Sequence, residues 1–148
     1  MTIRLQPIQI GDTPESLGLT GHPHASMILQ HQDDYYASIG FNPPWISYFA
    51  YSDAELAGVC SFKGSPKHSK VEIAYFTFPE QEGQGYGTQM CAALLALARA
   101  ADPAVIVTAR TLPETNPSTS ILKKNGFVFQ GPVIDDEDGE VWEWVYPV

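Results

Sequence analysis

The stretch Val71-Glu-Ile-Ala-Tyr-Phe-Thr-Phe-Pro-Glu-Gln-Glu-Gly-Gln-Gly-Tyr-Gly-Thr88 passes from a β-favouring run through a proline into three glycines spaced two apart. Residues 70–78 predict the strongest strand of the chain, and Pro79 ends it because proline donates no backbone hydrogen bond. Residues 85–101 predict the clearest helix: Met90, Leu94, Leu97 and Ala101 share one stripe, and alanines at 92, 93, 96, 98 and 100 favour helix strongly. Gly83, Gly85 and Gly87 lie at the junction. Glycine reaches positive φ and lets a ligand approach the backbone, so successive N–H groups of such a turn converge on one concavity. The helix N-terminus behind it adds a positive dipole, and together they suit a phosphate or pyrophosphate without any lysine. A turn with no chemical meaning is the alternative that the glycines alone leave open. Spacing excludes two other phosphate motifs: Gly83-x-Gly85-x-Gly87 is not Gly-x-Gly-x-x-Gly, and no Gly-Lys-Ser/Thr follows.

Upstream, residues 2–10 alternate, with Ile3, Leu5, Ile8 and Ile10 apolar, and read as a first strand. After Gly11, Asp12 or Thr13 is placed to cap a short helix. Residues 24–38 carry Ala25, Ile28, Leu29, Tyr35 and Tyr36 in helical rhythm, ended by Gly40. Phe41-Asn42-Pro43-Pro44 is a non-helical link. Residues 45–51 and 56–63 read as strands joined by a hairpin loop at 52–55, with a further loop at 64–68. Downstream, Asp102-Pro103 breaks the long helix, 104–110 is a β-branched strand, 115–125 a helix closed by Asn125-Gly126, and 127–130 and 140–146 the last strands. The acidic run Asp135-Asp136-Glu137-Asp138-Gly139 between those two is read as a solvated turn, not a metal site. This order predicts an α+β (mixed α/β) domain with one central, mostly antiparallel sheet flanked by helices.

The chain has 148 residues, 44% apolar and 17% charged, which fits a single domain over 1–148 with a sizeable core. No apolar run is long enough to span a bilayer, and Met1–Ile10 lacks the basic start and apolar block of a secretion signal, so the expectation is a cytoplasmic protein. Cys60 and Cys91 fall in apolar strand and helix patterns and are expected to be buried free thiols. A net charge of −9 disfavours nucleic acid and anionic membranes as partners and favours an amine. His22, His24 and His31 fit no standard metal spacing, and no metal is expected.

Two segments carry a resemblance. Glu82-Gly83-Gln84-Gly85-Tyr86-Gly87 resembles the pyrophosphate turn of the GNAT superfamily of N-acetyltransferases, Arg/Gln-x-x-Gly-x-Gly/Ala, with Gly85 and Gly87 at the small positions and Glu82 where Arg or Gln is usual. Thr115-Asn-Pro-Ser-Thr-Ser-Ile-Leu-Lys-Lys-Asn-Gly-Phe127 is similar to the family's late helix, Asn-x-x-Ser-x-x-x-Leu-x-Lys-x-Gly-Phe, with the Asn off by one. Glu72-Ile-Ala-Tyr75 looks like the Glu-Ile-Gly-Tyr of the ribosomal-protein-acetyltransferase-like branch. The resemblance implies a GNAT-like sheet splayed between its fourth and fifth strands, with the cofactor part at about 70–131. It implies acetyl-CoA as co-substrate, held by Phe76, Thr77, Phe78, Gly83, Gln84, Gly85, Tyr86, Gly87, Thr88, Asn116 and Ser118. Main-chain groups of Phe76 and Thr77 would hold the pantetheine. Glu82 would point away from the diphosphate, leaving the amides to bind it, with Gln81 in a neighbouring role. The acceptor would be a small-molecule or peptide amine, and a homodimer through an exposed late strand would fit the family.

Direct transfer needs a base for the ammonium proton and sometimes an acid for the thiolate. Glu72 is the candidate base; a carboxylate paired with Lys70 or Lys63 is the competing reading. The family's usual acid, a tyrosine four residues before the late Gly-Phe, is here Leu122, which leaves Ser118 or a water. Tyr75 and Tyr86 read as packing or cofactor-facing residues. Tyr35, Asn42, Trp45 and Tyr48 either line the acceptor pocket or pack in the core. A CoA-binding module of the same fold with weak catalysis, a transferase of another acyl group and a non-enzymatic interaction domain are the competing functions.

Overall fold

The alternation of the first strand survives only from Ile3 to Pro7: the Ile8 N–H still donates to the Ser47 carbonyl at 3.0 Å, but the Tyr36 hydroxyl then interrupts the ladder, donating to the Ile8 carbonyl at 2.8 Å and accepting from the Ser47 N–H at 3.0 Å. The computed structural model describes residues 2–147. After β1 (Ile3–Pro7) come α1 (Pro23–Ile39), β2 (Ser47–Ser52), β3 (Glu55–Phe62), β4 (Lys70–Thr77), a single 3-10 turn (Pro79–Gln81), α2 (Tyr86–Ala101), β5 (Ile106–Thr111), α3 (Pro117–Lys124), β6 (Val128–Asp135) and β7 (Gly139–Val145).

The helix expected after Asp12 does not form. Asp12 instead accepts from the Gln9 N–H at 2.7 Å, and Thr13 and Ser16 exchange side-chain-to-backbone bonds, so the segment is a series of turns. α1 is capped by His22, whose Nδ1 accepts from the Ala25 N–H, and Gly40 closes it at φ 91°. β2 starts at Ser47 rather than 45, since Pro43-Pro44 and Trp45 form a turn held by Trp45 N–H to Asn42 C=O. β6 runs five residues past the expected end at 130, through Gly131 and Pro132. It is an edge strand with a bulge between Phe129 and Gly131, where proline is tolerated.

The strands form one seven-stranded sheet in the order β1-β2-β3-β4-β5-β7-β6, antiparallel throughout except for β4 beside β5. One face packs Ala25 and Leu29 of α1 against Phe49, Tyr51, Leu56 and Phe78. The other packs Met90, Cys91, Leu94 and Leu95 of α2 and Leu122 of α3 against Tyr48, Cys60, Phe62, Val71, Ile73 and Val107. Each large side chain so buried contributes roughly 1.5–3 kcal/mol. Both cysteines are buried and unbonded, and burial pushes the Cys91 thiol up to about 12. No helix among the described residues is long and apolar enough to cross a membrane.

The pairing that shapes the site is the parallel one. β4 and β5 pair only from Lys70/Ile106 to Ile73/Ala109. β4 stays paired to β3 as far as Thr77, and β5 to β7 as far as Thr111. Residues 74–77 therefore have no partner on the β5 side, and the sheet opens as a V at that point.

Candidate active site

Which β4 peptide groups face the V follows from the ladder. Ser69 C=O accepts from the Ile106 N–H at 2.8 Å, so odd-numbered residues turn their backbone toward β5. Glu72 C=O accepts from Lys63 N–H at 2.8 Å, and Phe78 N–H donates to Ala57 C=O at 3.0 Å, so even-numbered residues face β3. The main-chain groups open to the gap are thus those of Tyr75 and Thr77. Phe76, expected to offer its backbone, turns its peptide groups to β3; it lines the groove and its ring is half-exposed. Phe78 leaves the site altogether: its ring is 1% exposed, its N–H is bound to Ala57 and its C=O accepts from Gln81.

Beyond β4 the chain turns through Gly83 at φ 78° and Gly85 at φ 83°, the latter being the left-handed N-cap of α2 with no side-chain cap. A Cβ at either glycine would meet nothing, so both face open space. The first backbone donation of α2 is from Gln89 to the Gly85 carbonyl at 3.2 Å. Among the described residues, none of the peptide N–H groups from Gly83 to Thr88 has a hydrogen-bond partner. Gly87 is glycine for a different reason: a Cβ there would lie 2.5 Å from Ile121 Cδ1, so its absence lets α3 close on α2.

These elements enclose a groove of about 480 Å³ lined by Tyr75, Phe76 and Thr77, by Glu82–Thr88 apart from Gln84, and by one face of α3. Its far wall is tied down twice. Tyr75 Oη donates to the Ser118 carbonyl at 3.1 Å, and Asn125 Nδ2 donates to the Thr88 carbonyl at 3.3 Å. Ser118 lines the groove, but Asn116 does not: its Oδ1 accepts from Thr119 N–H while its own N–H donates to Thr119 Oγ1, a reciprocal helix cap. Tyr86 is buried, with its hydroxyl 3.0 Å from Ser52 Oγ and 3.3 Å from Gln84 Oε1, so the hydroxyl is engaged within the protein. Glu82 is among the residues that line the groove. Leu122 is fully buried, and the groove-facing residue of that helical turn is Ile121, so no tyrosine of α3 reaches the site.

Glu72 lies on the opposite face of β4 in a charged cleft of about 240 Å³. Its carboxylate is 2.8 Å from Lys63 Nζ and 4.0 Å from Arg110 Nε. Arg110 also meets Asp135 at 2.9 Å and Glu143 at 3.5 Å, and its Nε is buried without a partner. Burial pulls the Lys63 pKa down, but the Glu72 hydrogen bond and charge outweigh it, and the net direction is up. The pairing with Lys63 is the competing reading of Glu72 realised in the structure. Of the acceptor-pocket candidates, Tyr48 is buried and donates to Pro44 C=O at 2.6 Å, and Trp45 packs edge-on to Phe62. Tyr35 is the one near Lys63 and Glu72. His24 stacks on Phe78 and bonds Glu80 at 2.7 Å.

A gap in the sheet, continuous with free N–H groups at a helix start, suits an extended ligand laid along the strand with a diphosphate seated on the turn. The family model of the acetyltransferase (GNAT) domain matches residues 3–128, and the chain belongs to this family of acyl-CoA-dependent acyltransferases. No curated protein matches it significantly in sequence. Solved structures with the same fold include the RimL ribosomal L7/L12 alpha-N-protein acetyltransferase in complex with coenzyme A, at 16% identity and TM-score 0.70, covering 98% of this chain and 93% of that one. A chimera of spermidine N-acetyltransferase from Vibrio cholerae aligns at 14% identity and TM-score 0.71, covering 98% and 95%. An aminoglycoside acetyltransferase in complex with coenzyme A and kanamycin aligns at 19% identity and TM-score 0.72, covering 97% and 94%.

Proposed function

We propose that this chain is an acetyl-CoA-dependent N-acetyltransferase that moves an acetyl group to a primary amine by direct attack. The observation that carries the reading is the set of unpartnered N–H groups from Gly83 to Thr88. The diphosphate of the coenzyme sits on them, and its pantetheine runs along the open edge of β4 toward Tyr75 and Thr77. A gap-facing N–H there donates to the thioester oxygen and stabilises the oxyanion formed on attack. Amine nitrogen bonds the acetyl carbon, the carbon–sulfur bond breaks, and the thiolate takes a proton from Ser118 or a water. The named acceptors of the structural relatives, a ribosomal protein, spermidine and an aminoglycoside, all support an amine acceptor.

Glu72 serves as general base through water from the far side of β4, once an acceptor loosens its pairing with Lys63. Glu72→Gln should then lower kcat by about 100-fold or more while CoA affinity holds. Unchanged turnover across pH would remove Glu72 from the mechanism. Two observations favour a second reading, a CoA-binding module with weak catalysis: the Lys63–Glu72 pair at 2.8 Å, and a buried Leu122 in place of an acid. Thermal unfolding with CoA and thiol release from acetyl-CoA across an amine library separate the possibilities. Raised melting temperature with turnover supports the enzyme, raised melting temperature without turnover the module, and neither effect defeats both.

A further inference from the structure

Coenzyme A carries its negative charge on a diphosphate and a ribose phosphate, and the protein that would hold it has net charge −9. The turn meant to receive it adds an acidic residue, Glu82, to the lining of the groove. Neutral N–H groups supply hydrogen bonds and a partial dipole, but they do not offset a full negative charge placed beside the ligand. Of the residues lining the groove, only Glu82 and Lys124 are charged. Lys124 forms no salt bridge among the described residues.

The position of Lys124 is set by its neighbours. It stands at the end of α3, one turn after Ile121, whose Cδ1 lies against the missing side chain of Gly87. The next residue, Asn125, donates to the Thr88 carbonyl at 3.3 Å. Two contacts thus clamp this end of α3 to the first turn of α2, where the free N–H groups are. Lys124 itself lines the groove together with that turn.

Resting on the coenzyme reading above, we infer that Lys124 is the diphosphate-binding cation of this protein. It supplies from α3 the charge that the turn lacks and offsets the carboxylate of Glu82. The site is thereby divided: amides of the glycine turn give direction, and a side chain from another helix gives charge.

The test measures CoA and 3′-dephospho-CoA affinity by calorimetry for wild type, Lys124→Ala, Lys124→Arg and Glu82→Gln. Lys124→Ala should weaken both ligands by about tenfold, Lys124→Arg should recover most of the loss, and Glu82→Gln should tighten both by a few fold. The Lys124→Ala penalty should shrink at about 1 M salt, as expected of a solvent-accessible ion pair. Lys124 is exposed, so the variant should melt with wild type, which separates lost affinity from lost fold. Wild-type affinity in Lys124→Ala overturns the assignment while leaving the coenzyme reading intact. A penalty that vanishes with 3′-dephospho-CoA also overturns it, by moving the lysine to the ribose phosphate. Failure of wild type to bind CoA at all overturns the coenzyme reading and the assignment together.

Discussion

The hydroxyl of Tyr75 donates to the Ser118 carbonyl at 3.1 Å, joining β4 to α3 across the floor of the groove. The bond fixes the distance between the strand that offers free peptide groups and the helix that forms the opposite wall. Burial raises the Tyr75 pKa above the ordinary tyrosine value, so the hydroxyl stays protonated and able to donate at neutral pH. Tyr75→Phe should lower stability by about 1 kcal/mol, a melting shift of about 2–4 °C, and weaken CoA binding as the wall relaxes. Thermal unfolding and calorimetry check both effects, and identical values for the two proteins would show that the bond does not set the groove.

Gly85 takes φ 83° with open space where a Cβ would go. Gly85→Ala should cost about 1–2 kcal/mol for left-handed backbone and no packing penalty. The added methyl would stand in the N–H cradle, so CoA affinity should fall by more than the stability loss accounts for. Chemical denaturation beside a CoA titration separates the two quantities; loss of stability with full CoA affinity would mean the cradle is not where the coenzyme lies.

Gly58 behaves differently, because a Cβ on it would lie 2.3 Å from the Phe76 carbonyl oxygen and 3.2 Å from Thr77 Cα. Both neighbours are backbone and cannot swing away. Gly58→Ala should destabilise by about 2 kcal/mol or more and push β4 out of line at the point where it borders the gap. A melting temperature within error of wild type would contradict this close approach.

Asp135 closes the β6–β7 turn. Its carboxyl is held down to about 2 by the Glu137 N–H first, then by Arg110 and the Asp138 N–H. The folded value lies below the ordinary 3.8, so its stabilisation is present above that pH and is lost as pH falls toward about 2. Asp135→Asn should melt below wild type at neutral pH, and the gap should close on acidification. A difference that stays constant from pH 5 to pH 2 would assign the effect to something other than this ionisation.

The local signals in the chain carried the glycine turn, α2 and the central strand, because proline, glycine and alanine act through the backbone of their own neighbourhood. Local signals fell short at β6, which runs past the expected end at 130 through Gly131 and Pro132 on an edge that tolerates both. Features set by pairing register were out of reach. Whether Phe76 or Tyr75 turns its peptide to the gap depends on which β3 carbonyl faces β4. Whether Asn116 serves a ligand or its own helix depends on Thr119. Phe78 looked like a continuation of the cofactor strand, yet the chain uses it under His24 as a core residue. The placement of Lys124 had a sequence cue in the departure at Glu82, but the compensating charge lay 42 residues away on another helix.

The V in the sheet leaves an exposed strand border in the middle of the protein rather than at its rim. Such a border exchanges its amide protons with solvent until something covers it. The coenzyme arm would act as a temporary extra strand there, so the Tyr75 and Thr77 amides should exchange quickly in the free protein and slowly in the loaded one. The interior of the fold is thus finished by its substrate.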